Sequence, residues 1–343
     1  MEHLDSDYIR GGHPEVMRRL LEVNLEAVPE GYGEDAYTKR ARKLILDACG
    51  LSEEGDVRFM VGGTLTNATM IDVLLHPCEG VIAAETSHIN VHEAGAIEAF
   101  GHKVLTIPAS YGKLSATDID EYLGKFYEDK TWPHMVIPGM VYISQPTELG
   151  TLYTLEELEA ISRKCSLHNI RLYVDGARLA YALASPENNV TLPDLARLCD
   201  AFYIGGTKCG ALFGEAVVIP HPEKISHLFT QIKRHGALFA KGWLIALQFE
   251  VLFSNGLYQE IGDLGNRYAG LIKEIMKTCG YRQYVDSPTN QQFFILPNRI
   301  VDRIKKRVSF SVWEKVGKRQ SIVRFVTDWA SNIDGIKDLV LFQ

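Results

Sequence analysis

Tyr203-Ile204-Gly205-Gly206-Thr207-Lys208 carries a lysine out of an apolar, β-rich run through a flexible turn and into a mostly apolar stretch. Burial favours the neutral amine over the ammonium, and a neutral amine is a nucleophile toward carbonyl carbon. Earlier in the chain, Asp175-Gly176-Ala177-Arg178 closes another apolar run and places a carboxylate and a guanidinium three positions apart. Gly62-Gly63-Thr64-Leu65-Thr66-Asn67 reads as a glycine-bearing turn that feeds a helix. Free backbone N–H groups and the helix dipole favour a phosphate at such a place, and Thr64 and Thr66 add hydroxyls. Neither G-x-G-x-x-G nor Gly-Lys-Ser/Thr occurs there, so the turn is not a dinucleotide fingerprint or a Walker loop. Taken singly, these pieces also suit an ordinary strand-to-helix turn, a structural ion pair and a solvated lysine. Taken together, a phosphate seat, an acid for a ring nitrogen and a Schiff-base lysine are what pyridoxal 5'-phosphate requires.

Two further groups bear on chemistry. In His88-Ile89-Asn90-Val91-His92-Glu93, histidines at i and i+4 would share a helix face, but the metalloprotease order H-E-x-x-H is not met because Glu93 follows the second histidine. No metal site is expected; His88 suits stacking of its flat ring on a planar heterocycle. Arg324 lies inside the apolar, β-rich run Ile322-Val323-Arg324-Phe325-Val326-Thr327. An unpaired buried guanidinium is costly, so Arg324 calls for an anionic partner, either a fixed carboxylate or that of a ligand. Ser6-Asp7 could add a hydroxyl there.

The elements that must position these groups alternate. Short apolar β-rich runs at residues 81–84, 103–108, 135–143, 170–174, 201–204 and 215–219 are separated by segments of helical period. That alternation predicts α/β architecture with a mostly parallel sheet flanked by helices, and ligands beyond the carboxyl ends of the strands. One helix is legible in detail: Thr154 and Glu157 form a capping box, and Leu155, Leu158, Ile161 and Cys165 repeat along one face. From about Gln248 the pattern turns to amphipathic helix with short strands at 292–296 and 322–327, a smaller α+β unit.

Composition narrows the classes further. The chain has 343 residues, 46% of them hydrophobic, more apolar material than a disordered chain carries. With 36 Lys and Arg against 43 Asp and Glu, the net charge is −7, so no basic field exists to hold nucleic acid. Six cysteines without a C-x-x-C pair, no apolar run near bilayer length and an acidic start without a signal-peptide pattern predict a reducing, cytoplasmic location and no membrane partner.

These residues resemble the threonine aldolase and β-eliminating lyase family of fold-type-I pyridoxal-phosphate enzymes. The resemblance is carried by Tyr32-Gly33-Glu34-Asp35, Gly63-Thr64 with Asn67, Glu85 to His88 with Glu93, Asp175-Gly176-Ala177-Arg178, Thr207-Lys208 and the Arg324 segment. It implies that Lys208 forms the Schiff base, Asp175 faces the pyridine nitrogen and His88 stacks on the ring; His88, directly or through a held water, is also expected to serve the proton step. It further implies that Gly63-Thr64 bind the phosphate and that Arg324, with Arg178 and Ser6, holds the amino-acid carboxylate; Gly62, Arg178 and Thr207 are also expected to bind the cofactor. The implied layout is an N-terminal segment 1–14 that reaches the site, a large cofactor domain 15–247 and a small domain 248–343. The implied activity is retro-aldol cleavage of threonine or allo-threonine to glycine and an aldehyde; transamination or β-elimination would use the same lysine, aspartate and arginine. Family members are homo-oligomers, dimers or tetramers with shared sites, so Tyr32 or Lys233-Arg234 could reach a neighbour's cofactor. The chain departs from the family pattern at Cys209, where Gly is usual, and at Ser144-Gln145-Pro146-Thr147-Glu148, which stands where Glu-Asn-Thr-His is familiar.

Overall fold

The computed structural model describes residues 1–26 and 29–342. Its strands, in chain order, are β1 (Glu2–Leu4), β2 (Asp56–Met60), β3 (Glu79–Ala84), β4 (Val104–Ile107), β5 (Ile137–Ser144) and β6 (Arg171–Asp175). They continue with β7 (Ala201–Gly205), β8 (Glu215–Ile219), β9 (Arg282–Val285), β10 (Gln291–Pro297), β11 (Val308–Val316) and β12 (Gln320–Val326). All six strand runs expected from the sequence are present, with ends shifted by no more than two residues.

Seven strands form one sheet in the order β2-β8-β7-β6-β5-β3-β4. Pairings from β7 through β4 are parallel, while β8 runs antiparallel to both neighbours. The sheet is therefore mixed and mostly parallel. Its central strands are buried on both faces, which is why they read as nearly continuous apolar runs. Val141, Ile143, Val174, Phe202 and Ile204 face one helical layer. Met140, Tyr142, Tyr173 and Tyr203 face the other. The helix Leu155–Leu167 begins at Thr154, with both bonds of the capping box to Glu157 in place, and buries Leu158, Ile161 and Cys165. No helix among the described residues is long and apolar enough to cross a membrane.

The other five strands form a second sheet, β1-β11-β12-β10-β9. The runs expected at 292–296 and 322–327 are β10 and β12; β9 and β11 were not foreseen, because their partly exposed residues break the apolar pattern. The helix Leu257–Thr278 lays Ile272, Ile275 and Met276 against Phe294, Leu296, Val323 and Phe325 of this sheet. The extreme N-terminus joins it as well: β1 pairs in parallel with β11, Glu2 opposite Val308 and Leu4 opposite Phe310. That pairing, with Ser309 and Ser311 hydroxyls bonded to Asp5, leads the next residues, Ser6 and Asp7, into the interior between the sheets.

Candidate active site

The carboxyl ends of β3, β5, β6 and β7 open into one cavity, as parallel sheets arrange it. Gly63, Thr64, His88, Asp175, Arg178, Thr207 and Lys208 line it together with Glu93, Ser144, Glu148, Tyr203 and Glu215. Asp175 is the last residue of β6 and is buried. Its Oδ1 accepts the Ala177 backbone N–H at 2.9 Å, and its Oδ2 accepts the Tyr142 hydroxyl at 2.5 Å and Asn67 Nδ2 at 3.1 Å. Burial pushes this carboxyl up, but hydrogen bonds from Tyr142, Tyr203 and Ala177, with the positive influence of His88, more than offset it and hold the group below the ordinary Asp value. An aspartate kept ionised in a buried place is suited to hold a proton on a facing heterocyclic nitrogen.

Lys208 follows β7. Burial first, then the nearby Arg178 charge, lower its pKa from the ordinary lysine value, against Asp7, Asp175 and Glu215, which raise it. That is the condition for a nucleophilic amine. The turns bearing Asp175 and Lys208 approach too closely for side chains between them. A Cβ on Gly176 would lie 2.0 Å from the Tyr203 carbonyl oxygen, and one on Gly205 2.2 Å from that of Ala177.

Gly63 opens the helix Gly63–Leu74, preceded by Gly62, so the helix start offers its free N–H groups to the cavity. Thr66 does not add a donor there: its hydroxyl bonds back to the Gly62 carbonyl at 2.9 Å. Thr207 Oγ1 accepts the Gly214 N–H at 3.0 Å. His88 begins a single helical turn, His88–Val91, and its Nδ1 meets Glu93 Oε1 at 2.7 Å. Asn67 Nδ2 donates to the same Glu93 oxygen at 2.9 Å, so Asn67 links the His88 and Asp175 ends of the cavity.

The three groups named for a carboxylate are arranged unequally. Arg178 is gripped in a fork by Asp7, Nε to Oδ2 at 2.6 Å and Nη2 to Oδ1 at 3.0 Å, while Asn290 Nδ2 donates to the same carboxylate at 2.9 Å. Burial opposes the Arg178 charge, yet Asp7 keeps its pKa above the ordinary arginine value. Ser6 is buried beside this pair, and its hydroxyl has no hydrogen-bond partner among the described residues. Arg324, on β12, has no carboxylate within 4 Å among the described residues. Its Nη1 reaches Gln291 Oε1 at 3.3 Å, its Nε is unpartnered, and its guanidinium lies 5.2 Å from the Trp313 ring centre. Burial and the Arg178 charge bring it down to about 10. Arg324 is also felt by His92, whose pKa falls through burial, His88 and Arg324 in that order, so the arginine stands near the His88 side. Gly62, Ser6 and Arg324 border the cavity residues without lining the cavity themselves. At the surface, Lys233 Nζ sits 4.4 Å from the Tyr32 ring centre, and Arg234 pairs with Asp72.

The sequence reading missed Tyr142, Tyr203, Glu148 and Glu215 as cavity-region groups, and it named Asp7 only as the neighbour of Ser6, not as the partner of Arg178. Polar tips at the ends of buried strands would have pointed to Tyr142, Tyr203 and Glu215; nothing local marks Asp7. The donor set as a whole fits pyridoxal 5'-phosphate: helix-start N–H groups for a phosphate, an ionised Asp for a ring nitrogen and a depressed-pKa lysine for a carbonyl.

Known proteins resemble this chain in sequence and in structure. The low specificity L-threonine aldolase of Pseudomonas aeruginosa is 28% identical over 345 aligned positions, covering 97% of this chain and 94% of that one. A solved threonine aldolase of Leishmania major superposes with a TM-score of 0.94 at 41% identity, over 100% of this chain and 97% of that one. The aspartate aminotransferase of Thermus thermophilus shares the fold, with a TM-score of 0.72 at 13% identity over 100% of this chain and 90% of that one. The family described as beta-eliminating lyase matches residues 3–289, and the chain belongs to that family.

Proposed function

We propose that this protein is a pyridoxal 5'-phosphate-dependent threonine aldolase, cleaving threonine or allo-threonine to glycine and an aldehyde. The observation that carries the reading is the meeting of Asp175 and Lys208 in one cavity, each with its pKa moved in the direction the cofactor needs. Likeness to named aldolases in sequence and in structure supports it. When bound, the cofactor supplies a carbonyl for the substrate amine and a sink for the electron pair of a Cα bond.

The chain's own residues do the rest. Gly62, Gly63, Thr64 and Thr207 hold the phosphate. Asp175, braced by Tyr142 and Asn67, would hold a proton on the ring nitrogen of the cofactor, and His88, tethered to Glu93, would pack against its ring. Arg324 would bind the substrate carboxylate, with the Ser6 hydroxyl and the Asp7-held Arg178 beside it, and so would orient the amino acid in the site. The same reading includes a homo-oligomer with shared sites, a cytoplasmic location, and a division into segment 1–14, a cofactor domain 15–247 and a small domain 248–343. The test is incubation with pyridoxal 5'-phosphate and a panel of β-hydroxy amino acids. Aldehyde and glycine in equal amounts are expected; keto acid or ammonia alone would instead mark an aminotransferase or a β-eliminating lyase.

A further inference from the structure

Aldol cleavage needs a group that removes the β-hydroxyl proton. Most cavity groups already have other partners. Asp175 is committed by three hydrogen bonds and Arg178 by Asp7, while Glu93 holds His88 and Asn67 through Oε1 and its other oxygen is buried away from the opening. Lys208 is the amine that engages the carbonyl. His88, expected from the sequence to serve the proton step, is held through Nδ1 by Glu93 and is read above as the group that covers the cofactor ring, which leaves the proton step to another group.

Glu148 lies just beyond β5, in the segment where this chain departs from Glu-Asn-Thr-His, and its carboxyl lines the cavity. Its Oε1 accepts the His88 backbone N–H at 3.0 Å and the Ser144 hydroxyl at 2.9 Å. These two donors, from the ends of two neighbouring parallel strands, fix the carboxyl on the His88 side of the cavity.

Resting on the aldolase reading above, we propose that Glu148 is the base that takes the β-hydroxyl proton of the substrate. The Glu148 carboxylate accepts that proton, and the O–H electron pair becomes the second C–O bond of the aldehyde. The Cα–Cβ bond breaks, leaving its pair at Cα of the nascent glycine. A proton from solvent then closes Cα, and Glu148 releases its own proton to solvent.

The electrostatic surroundings suit the task. Burial raises the Glu148 carboxyl, Asp175 on β6 raises it further, and the bonds from its own backbone, Ser144 and His88 lower it, with a net result above the ordinary Glu value. Tyr142 on β5 and Tyr153 also feel its charge, and His88, Glu93, Lys208 and Arg178 share the cavity with it. A base with raised pKa takes a proton more readily once ionised.

The experiment compares Glu148→Gln with the native holoenzyme in three measurements: visible absorption of the bound cofactor, the pH profile of kcat/KM for threonine cleavage, and exchange of the glycine α-proton with deuterium followed by NMR. Glu148→Gln is expected to keep the cofactor absorption and the glycine exchange, which involve no β-hydroxyl. It should lose at least about a hundredfold in cleavage, the scale of general-base assistance, and the acid limb of the profile should vanish. Cleavage within about threefold of native with the acid limb intact would overturn the proposal, as would equal losses of cleavage and glycine exchange. Failure of the native enzyme to cleave any β-hydroxy amino acid would instead remove the aldolase reading itself.

Discussion

Arg324→Leu separates a ligand-binding arginine from a structural one. The substitution removes a guanidinium that has no carboxylate within 4 Å among the described residues, one bond to Gln291 at 3.3 Å and an unpartnered Nε. Leu keeps part of the volume beneath Trp313, so the loss to the cofactor-free fold is confined to one weak hydrogen bond and a cation–π contact, together about 1–2 kcal/mol. Relief from burying an uncompensated charge, already visible in a pKa brought down to about 10, acts in the opposite direction. The melting temperature of the cofactor-free protein should therefore move by only a few degrees. A bound substrate carboxylate, by contrast, loses a charge-assisted partner in a partly dry site, about 2–4 kcal/mol. At 1.4 kcal/mol per tenfold, KM for threonine should rise roughly thirty- to seven-hundredfold. Arg324→Lys keeps the charge but not the fork and should fall between the two. The assay is steady-state aldehyde release across threonine concentrations, with thermal melts of the cofactor-free variants alongside. An unchanged KM, or a collapse in melting temperature like that of a broken buried ion pair, would refute the reasoning.

Two other outcomes follow from the same geometry. Lys208→Ala should abolish the visible absorption that develops when pyridoxal 5'-phosphate is added to the native chain, with the far-UV circular dichroism unchanged; a persisting band would mean another amine holds the cofactor. Glu215 is pushed up to about 7, first by burial, against hydrogen bonds from Thr207 and the Gly206 N–H and the Lys208 charge. A carboxyl raised on folding contributes stability that is present below its unfolded value near 4.5 and is lost as pH rises through about 7. Glu215→Gln should thus flatten the decline in stability of the cofactor-free protein between about pH 5 and pH 7, a difference of up to about 3 kcal/mol in denaturant titrations. Parallel pH profiles for variant and native protein would count against a protonated Glu215.

Much of the cavity was legible in the sequence because local rules govern it. Asp175 and Lys208 each end or follow a continuously apolar strand, and a parallel sheet delivers all such ends to one edge. Gly63 sits where a turn must become a helix. The same locality explains the capping box at Thr154 and the match of expected and observed strands. It also explains a failure: Thr66 was expected to donate toward the site, but a threonine in the first turn of a helix readily bonds back to the carbonyl four residues earlier.

What the sequence determined by itself was the α/β alternation and the identity of the groups at the strand ends, since periodicity and burial act over a few residues. Tertiary structure alone decided how the Arg178 and Arg324 side of the cavity is built. Only the parallel pairing of β1 with β11 brings Asp7 to Arg178, across 171 positions of chain. The packing of the second sheet leaves the half-buried Arg324 without a carboxylate within 4 Å among the described residues, while Arg178 receives one. Register between distant strands depends on the summed fit of their buried faces, and no single residue carries that information.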